Sequence, residues 1–168
     1  MIQILRLSHR LPRDERISTH VCLVARAFGA DSIVYSGQHD SSLEDSVRKI
    51  CASWGGSFPI TCEKNSIKHI KECKKSGFII VHLTMYGMSL SEKLTEIKKA
   101  KKLLVVVGSE HVPGEIYELA DFNIAITNQP HSEVAALAIT LDRICVGKEF
   151  DGKIRIKPSE KGKEIVKC

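Results

Sequence analysis

Apolar and polar positions come in blocks along the chain, and the blocks switch between period two and the helical period. Residues 2–7 (IQILRL) read as a short strand. Residues 18–30 (STHVCLVARAFGA) read as a helix with one apolar face and Gly29 near its end. A strand is predicted at 32–37 (SIVYSG), then an amphipathic helix over 41–56, capped by Ser41 or Ser42 and stopped by a Gly pair. A short strand at 58–62 (FPITC) leads into a basic surface helix at 65–77. Residues 78–84 (FIIVHLT) form an apolar strand, 89–102 a charged helix, and 103–108 (LLVVVG) the strongest strand pattern of the chain. A short helix at 113–120 starts with Pro113 in its first turn. Residues 122–127 (FNIAIT) are a strand, and an Ala- and Leu-rich helix runs on to Arg143.

The middle strands are apolar on both faces, as strands are when helices cover both sides of a sheet. The expected fold is therefore α/β, with a mostly parallel sheet and helices on both faces. There is no internal repeat, low-complexity segment or long linker, so residues 1–168 read as one domain. Residues 148–168 read as a basic C-terminal hairpin or extended arm.

Composition narrows the class. Apolar content of 43% and charged content of 27% are those of an ordinary globular chain. Aromatics make up 5%, so the core must be built from aliphatic side chains. The net charge of +5 permits a phosphate-bearing partner without requiring one. The six cysteines include no C-x-x-C pair, which argues against a zinc ribbon, and no metal is expected. The first ten residues carry charge too early for a signal peptide, and no apolar run reaches membrane-spanning length. A cytoplasmic protein with reduced thiols and no membrane partner is expected.

Ligands of open α/β sheets bind outside the carboxyl ends of the strands. MYG follows the strand at 78–84, GSEHVP the strand at 103–108, and TNQPHSE the strand at 122–127. All three loops should open on one edge of the sheet. The third meets the free amides of a helix N-terminus, where Ser132 or Asn128 can cap and Glu133 complements the helix dipole. The Ala135-Ala136 pair lets a backbone or a flat ligand come close, so bulk at Ala135 or Gly108 should block a ligand. Either the loop is an elaborate cap or it holds a nucleoside by its backbone. Glu110 and His111 are an acid and a base or are simply solvated, and His82 reads as a satisfied core histidine.

The first loop is of another kind. Arg6, Arg10, Arg13 and Arg16 crowd around Pro12, with His9 and His20 beside them. Arginine forks suit phosphate, so this reads as a loop for an anionic substrate, or as a turn salt-bridged through Asp14 and Glu15. The chain lacks G-x-G-x-x-G after its first strand, a Walker loop, H-E-x-x-H and G-x-S-x-G.

Four stretches, LRLSHRLPRDERISTHVCLVARAFGA, VHLTMYG, VVVGSEHVP and ADFNIAITNQPHSEVAALAITLDR, together resemble the archaeal tRNA (cytidine(56)-2′-O)-methyltransferases of the SPOUT superfamily. The resemblance spans roughly residues 4 to 143. It implies a deep C-terminal trefoil knot, which chain rules alone would never propose. It implies a homodimer, S-adenosylmethionine as cofactor, and tRNA as substrate, methylated on the ribose 2′-oxygen of cytidine 56 in the T-loop.

The cofactor residues it implies are Leu83, Thr84 and Tyr86; Gly108, Ser109, Glu110, His111 and Val112; and Ile126, Thr127, Asn128, Gln129, Pro130, His131, Ser132 and Glu133. The superfamily often places an arginine on the helix that ends in FG, but that slot falls on Leu23 here. Arg16, at the entrance of the same helix, is then the candidate catalytic cation, with His20 and Ser132 as lesser candidates. Arg10 and Arg13 would hold tRNA phosphate. Two readings stand beside this one: a non-catalytic nucleotide- or RNA-binding α/β protein, and a small hydrolase using Cys, His and Glu.

Overall fold

The computed structural model describes residues 1–108, 111–145 and 147–167. Strands β1 (Ile2–His9), β2 (Ser32–Gly37), β3 (Ile60–Cys62), β4 (Ile79–Ser89), β5 (Leu103–Val107) and β6 (Phe122–Ala125) form one sheet in the order β3-β2-β1-β5-β4-β6. Every neighbouring pair in it is parallel. The helices between them are α1 (Glu15–Ala27), α2 (Ser41–Trp54), α3 (Ser66–Lys75), α4 (Leu90–Ile97), α5 (Gly114–Leu119) and α6 (Glu133–Ile144).

Alternation along the strands divides the core. Ile4, Val105 and Val107 point to one side, where Val21 and Ala25 of α1 and Leu137 and Leu141 of α6 pack. Leu5, Leu7, Leu104 and Val106 point to the other, against Ile70 of α3 and Ile116 of α5. Strands that are apolar on both faces thus meet a helix layer on each side.

Three departures from the sequence pattern matter. Helix α1 begins at Glu15 rather than 18, because the Asp14 backbone carbonyl already accepts from the Ser18 amide at 2.9 Å. Strand β1 runs on to His9, bulging at Ser8, whose φ is 56°. Strand β4 continues to Ser89 instead of stopping at 84. Its last residues arch over β6, so that Leu83 and Met88 both pair with Ile124. Gly87 touches the β6 backbone so closely that a Cβ there would lie 2.4 Å from the Asn123 carbonyl oxygen. Only a residue without a side chain fits.

The C-terminal segment is an antiparallel hairpin, β7 (Ile154–Lys157) with β8 (Glu164–Lys167). Just before it the Phe150 ring lies 4.1 Å beneath the Arg26 guanidinium, and Arg26 Nη2 donates to the Gly55 carbonyl at 2.6 Å. A desolvated cation over an aromatic face ties the tail to the ends of α1 and α2.

Candidate active site

The three loops after β4, β5 and β6 do open on one edge and enclose a cavity of about 350 Å³. Leu83, Thr84 and Tyr86 line it from β4, and Gly108 and Val112 from the loop after β5. Ile126, Pro130, His131 and Glu133 line it from the third loop and the start of α6. Thr127, Asn128, Gln129, Ser132 and His111 do not line it. Ser109 and Glu110 lie outside the described residues. A Cβ on Gly108 would meet Val112 Cγ2 at 2.6 Å, so the Val112 side chain packs where only a glycine leaves room. The small residue on the wall is the buried Ala136, whereas Ala135 is exposed on α6 and points away.

Two side chains that do not line the cavity still shape it. Asn128 does not cap α6; its Nδ2 donates to the Met85 carbonyl at 2.6 Å and the Gly87 carbonyl at 3.3 Å. It staples the third loop to the arch of the first. The cap is Ser132, whose Oγ accepts from the Val134 amide at 3.2 Å.

Helix α5 supplies a wall residue that the sequence reading missed, Tyr117, whose hydroxyl lies 3.2 Å from Thr84 Oγ1. Its ring stands edge-on to His82, with centroids 4.7 Å apart. Asn123 Nδ2 donates to the Tyr117 carbonyl at 2.9 Å, which leaves Oδ1 to accept from His82 Nδ1 at 2.8 Å. That chain of bonds fixes the tautomer of His82. Burial holds its pKa below the usual histidine value, and the Asn123 hydrogen bond opposes this. His82 Nε2 is buried without a hydrogen-bond partner, so the expectation of a fully satisfied core histidine holds for one ring nitrogen and fails for the other.

The arginine loop is divided by the fold. Arg6 is not in it. Arg6 shares the Ile4 face of β1, which looks toward α1 and α6, and it is 2% exposed. Its Nη2 lies 3.2 Å from Glu133 Oε1 and 3.8 Å from Asp14 Oδ2, and its Nη1 donates to the Leu7 carbonyl. A buried guanidinium in such a place needs carboxylates, and two converge on it. Burial raises the Glu133 pKa; Arg6 pulls it back down and Asp14 adds to the rise.

His9 is also buried rather than a loop residue. Its Nδ1 lies 2.8 Å from Ser18 Oγ and its Nε2 3.3 Å from Asp40 Oδ2. Arg10 is half exposed, and its Nε lies 3.4 Å from Asp14 Oδ2. Arg13 is exposed, as are Arg16 and His20 on α1, and neither Arg16 nor His20 lines the cavity. Leu23, on the same helix, is half buried.

The hydrolase reading loses four of its six cysteines as activated nucleophiles here. Burial pushes the Cys22 thiol up to about 12 and also raises Cys62, Cys73 and Cys145, the reverse of what an activated thiolate needs. Among the described residues no three His, Cys, Asp or Glu side chains gather as a metal site. What remains is a cavity walled largely by apolar and aromatic side chains, with Gly108 and Ala136 as its small residues, and Glu133 as its carboxylate among the described residues. That lining suits a nucleoside carrying positive charge.

The same architecture is found in methyltransferases of the SpoU type. A TrmH/SpoU tRNA modifying enzyme of A. aeolicus matches with a TM-score of 0.63 at 21% identity, over 85% of this chain and 73% of that one. The SpoU methyltransferase AviRb from Streptomyces viridochromogenes, in complex with the cofactor AdoMet, matches with a TM-score of 0.61 at 14% identity, over 86% of this chain and 56% of that one. The fold is therefore that of the SpoU methyltransferase class.

A narrower match identifies the family. The family model described as tRNA ribose 2′-O-methyltransferase, aTrm56, matches residues 54–166. A tRNA (cytidine(56)-2′-O)-methyltransferase of Methanocaldococcus jannaschii is 51% identical, over 99% of this chain and 97% of the relative. Its namesakes in Archaeoglobus fulgidus, 52% identical over 98% of both chains, and Thermococcus kodakarensis, 49% identical over 99% and 97%, are as similar. This chain belongs to that tRNA ribose 2′-O-methyltransferase family.

Proposed function

We infer that this chain transfers a methyl group from S-adenosylmethionine to the ribose 2′-hydroxyl of cytidine 56 in tRNA. The observation that carries this reading is the convergence of the three strand-end loops on one cavity, in a chain about half identical to enzymes of that name.

S-adenosylmethionine supplies a methyl group on a positively charged sulfur. Backbone groups of the loops after β5 and β6 would hold its adenosine, with Leu83, Gly108 and Ile126 packing against it. The 2′-oxygen gains a carbon–oxygen bond as the sulfur–carbon bond breaks, and the hydroxyl proton must leave. Alignment is the main task, because positive charge on the donor disappears in the transition state. Arg16 is the proposed cation that stabilises the developing oxyanion, with His20 and Ser132 as the further candidates for handling the proton. Arg10 and Arg13 would hold tRNA phosphate, which suits their place on the loop entering α1.

The arch of β4 over β6 supports threading of the chain as a trefoil knot. The exposed Tyr86 and Met88 beside the cavity, at 79% and 54%, support a homodimer that covers them. Among the described residues no helix is long and apolar enough to cross a membrane; we place the activity in the cytoplasm, where tRNA is found.

The test is a methyl-transfer assay with labelled S-adenosylmethionine and an unmodified tRNA transcript, followed by mapping of the label. Label on the ribose of cytidine 56 is expected. Cofactor binding without transfer would leave the site and remove the substrate; loss of both would leave a nucleotide-binding module. Light scattering that returns a monomer would contradict the dimer.

A further inference from the structure

Among the described residues, Glu133 is the only carboxylate lining the cavity, and no lysine or arginine lines it. That is unusual surface for a chain with 25 Lys and Arg. Glu133 Oε1 faces Arg6, 3.2 Å away, and Oε2 is buried with no hydrogen-bond partner. Arg6 itself stays behind the wall at 2% exposure, held by the Leu7 carbonyl and by Asp14. Asp14 in turn receives Arg10, so two arginines meet two carboxylates here, and the buried side-chain atoms of this network left without a hydrogen-bond partner are Glu133 Oε2 on the wall and Arg6 Nε behind it.

We propose that the Arg6–Glu133 pair makes the cavity select for positive charge on the ligand, so that the site holds a sulfonium donor more tightly than the neutral thioether left after methyl transfer. The proposal rests on the cofactor reading given above and adds which side chains set donor against product. Glu133 is the residue that senses the charge, because a carboxylate in a water-poor wall acts through a low local dielectric. Arg6 is a positioning residue. It backs the carboxylate from the protein side and opposes the rise in pKa that burial causes. Loss of the ligand's charge on methyl transfer then favours release of product.

Calorimetric titration of the purified protein with S-adenosylmethionine and with S-adenosylhomocysteine tests this without turnover. The wild type should bind the donor more tightly than the product. Glu133→Gln keeps the shape and removes the charge, and should shrink the ratio of the two dissociation constants roughly tenfold, chiefly by weakening the donor. Arg6→Met should shrink it similarly, and Arg6→Lys should retain most of it. Where Arg6→Met fails to fold, as circular dichroism would reveal, Glu133→Gln decides alone. An unchanged ratio in folded Glu133→Gln, or equal weakening of both ligands, overturns the proposal while leaving the cofactor site in place. Binding of neither ligand by the wild type overturns the site and the proposal together.

Discussion

His82 and Asn123 are register partners on the adjacent strands β4 and β6, with 2.8 Å between Nδ1 and Oδ1. The bond lies where the three loops diverge, and His82 has no exposed surface. Its folded pKa is held below the ordinary 6.5 by burial. The charged form is therefore disfavoured in the fold. The contribution of this group is intact above pH 6.5 and is lost as pH falls below it, by up to about 1.4 kcal/mol per pH unit until the folded pKa is reached. Denaturant unfolding at about pH 7.5 and about pH 5.5 should show this loss. His69 is also lowered by burial and adds its own slope. In His82→Asn the loss should shrink to what His69 leaves; an unchanged slope would remove His82 from the account.

Gly87 faces the other side of the same junction. A methyl group there would sit 2.4 Å from the Asn123 oxygen and 2.6 Å from the Ile124 amide nitrogen. Both are backbone atoms of a central-layer strand and cannot rotate away. Gly87→Ala should cost on the order of 3 kcal/mol of stability or prevent folding. Gly114, at the start of α5, has nothing within 4 Å of a built Cβ, so Gly114→Ala serves as the control and should be neutral or slightly stabilising. Equal melting temperatures for the two variants would contradict the arch over β6.

Ala135 and Ala136 separate by one helical step. The sequence makes them equivalent small residues; the fold buries Ala136 on the cavity wall and exposes Ala135. Ala136→Val and Gly108→Val should each weaken cofactor binding about tenfold or more, and Ala135→Val should leave it within about twofold. Undiminished affinity in Gly108→Val would take the second loop out of the site.

How far the sequence could be read depends on range. Strand β5 and the loops around it were legible because five consecutive buried aliphatic residues need helices on both sides. The site was legible because strand ends in such sheets share an edge. Arg6 was not. In sequence it stands four residues from Arg10 and looks like one more loop cation; its burial depends on a partner 127 positions away, which no local pattern reveals. The arch of β4 failed for the same reason. MYGMS is broken by a glycine and reads as a loop, and it pairs only because β6 passes beneath it. Tyr117 lies on a short helix whose periodicity marks Ile116 as core, and nothing near it in sequence points to Thr84.

Arg16 stands two residues after Asp14, the carboxylate that Arg6 and Arg10 share. Its side chain is exposed on the first turn of α1, so removing it should leave the melting temperature unchanged within about a degree. A cation that acts on the developing oxyanion is worth most in the transition state. Arg16→Ala should therefore lower kcat/KM for methyl transfer on the order of a hundredfold, with cofactor affinity within about twofold of wild type. Arg10→Ala should behave differently. A phosphate contact is felt on binding, so the variant should raise KM for tRNA and flatten its salt dependence, with kcat little altered. Steady-state kinetics at two salt concentrations separate the two roles. If Arg16→Ala raised KM alone, it would join Arg10 as a phosphate contact, and the oxyanion would need another partner, for which His20, one helical turn further along α1, is the next candidate.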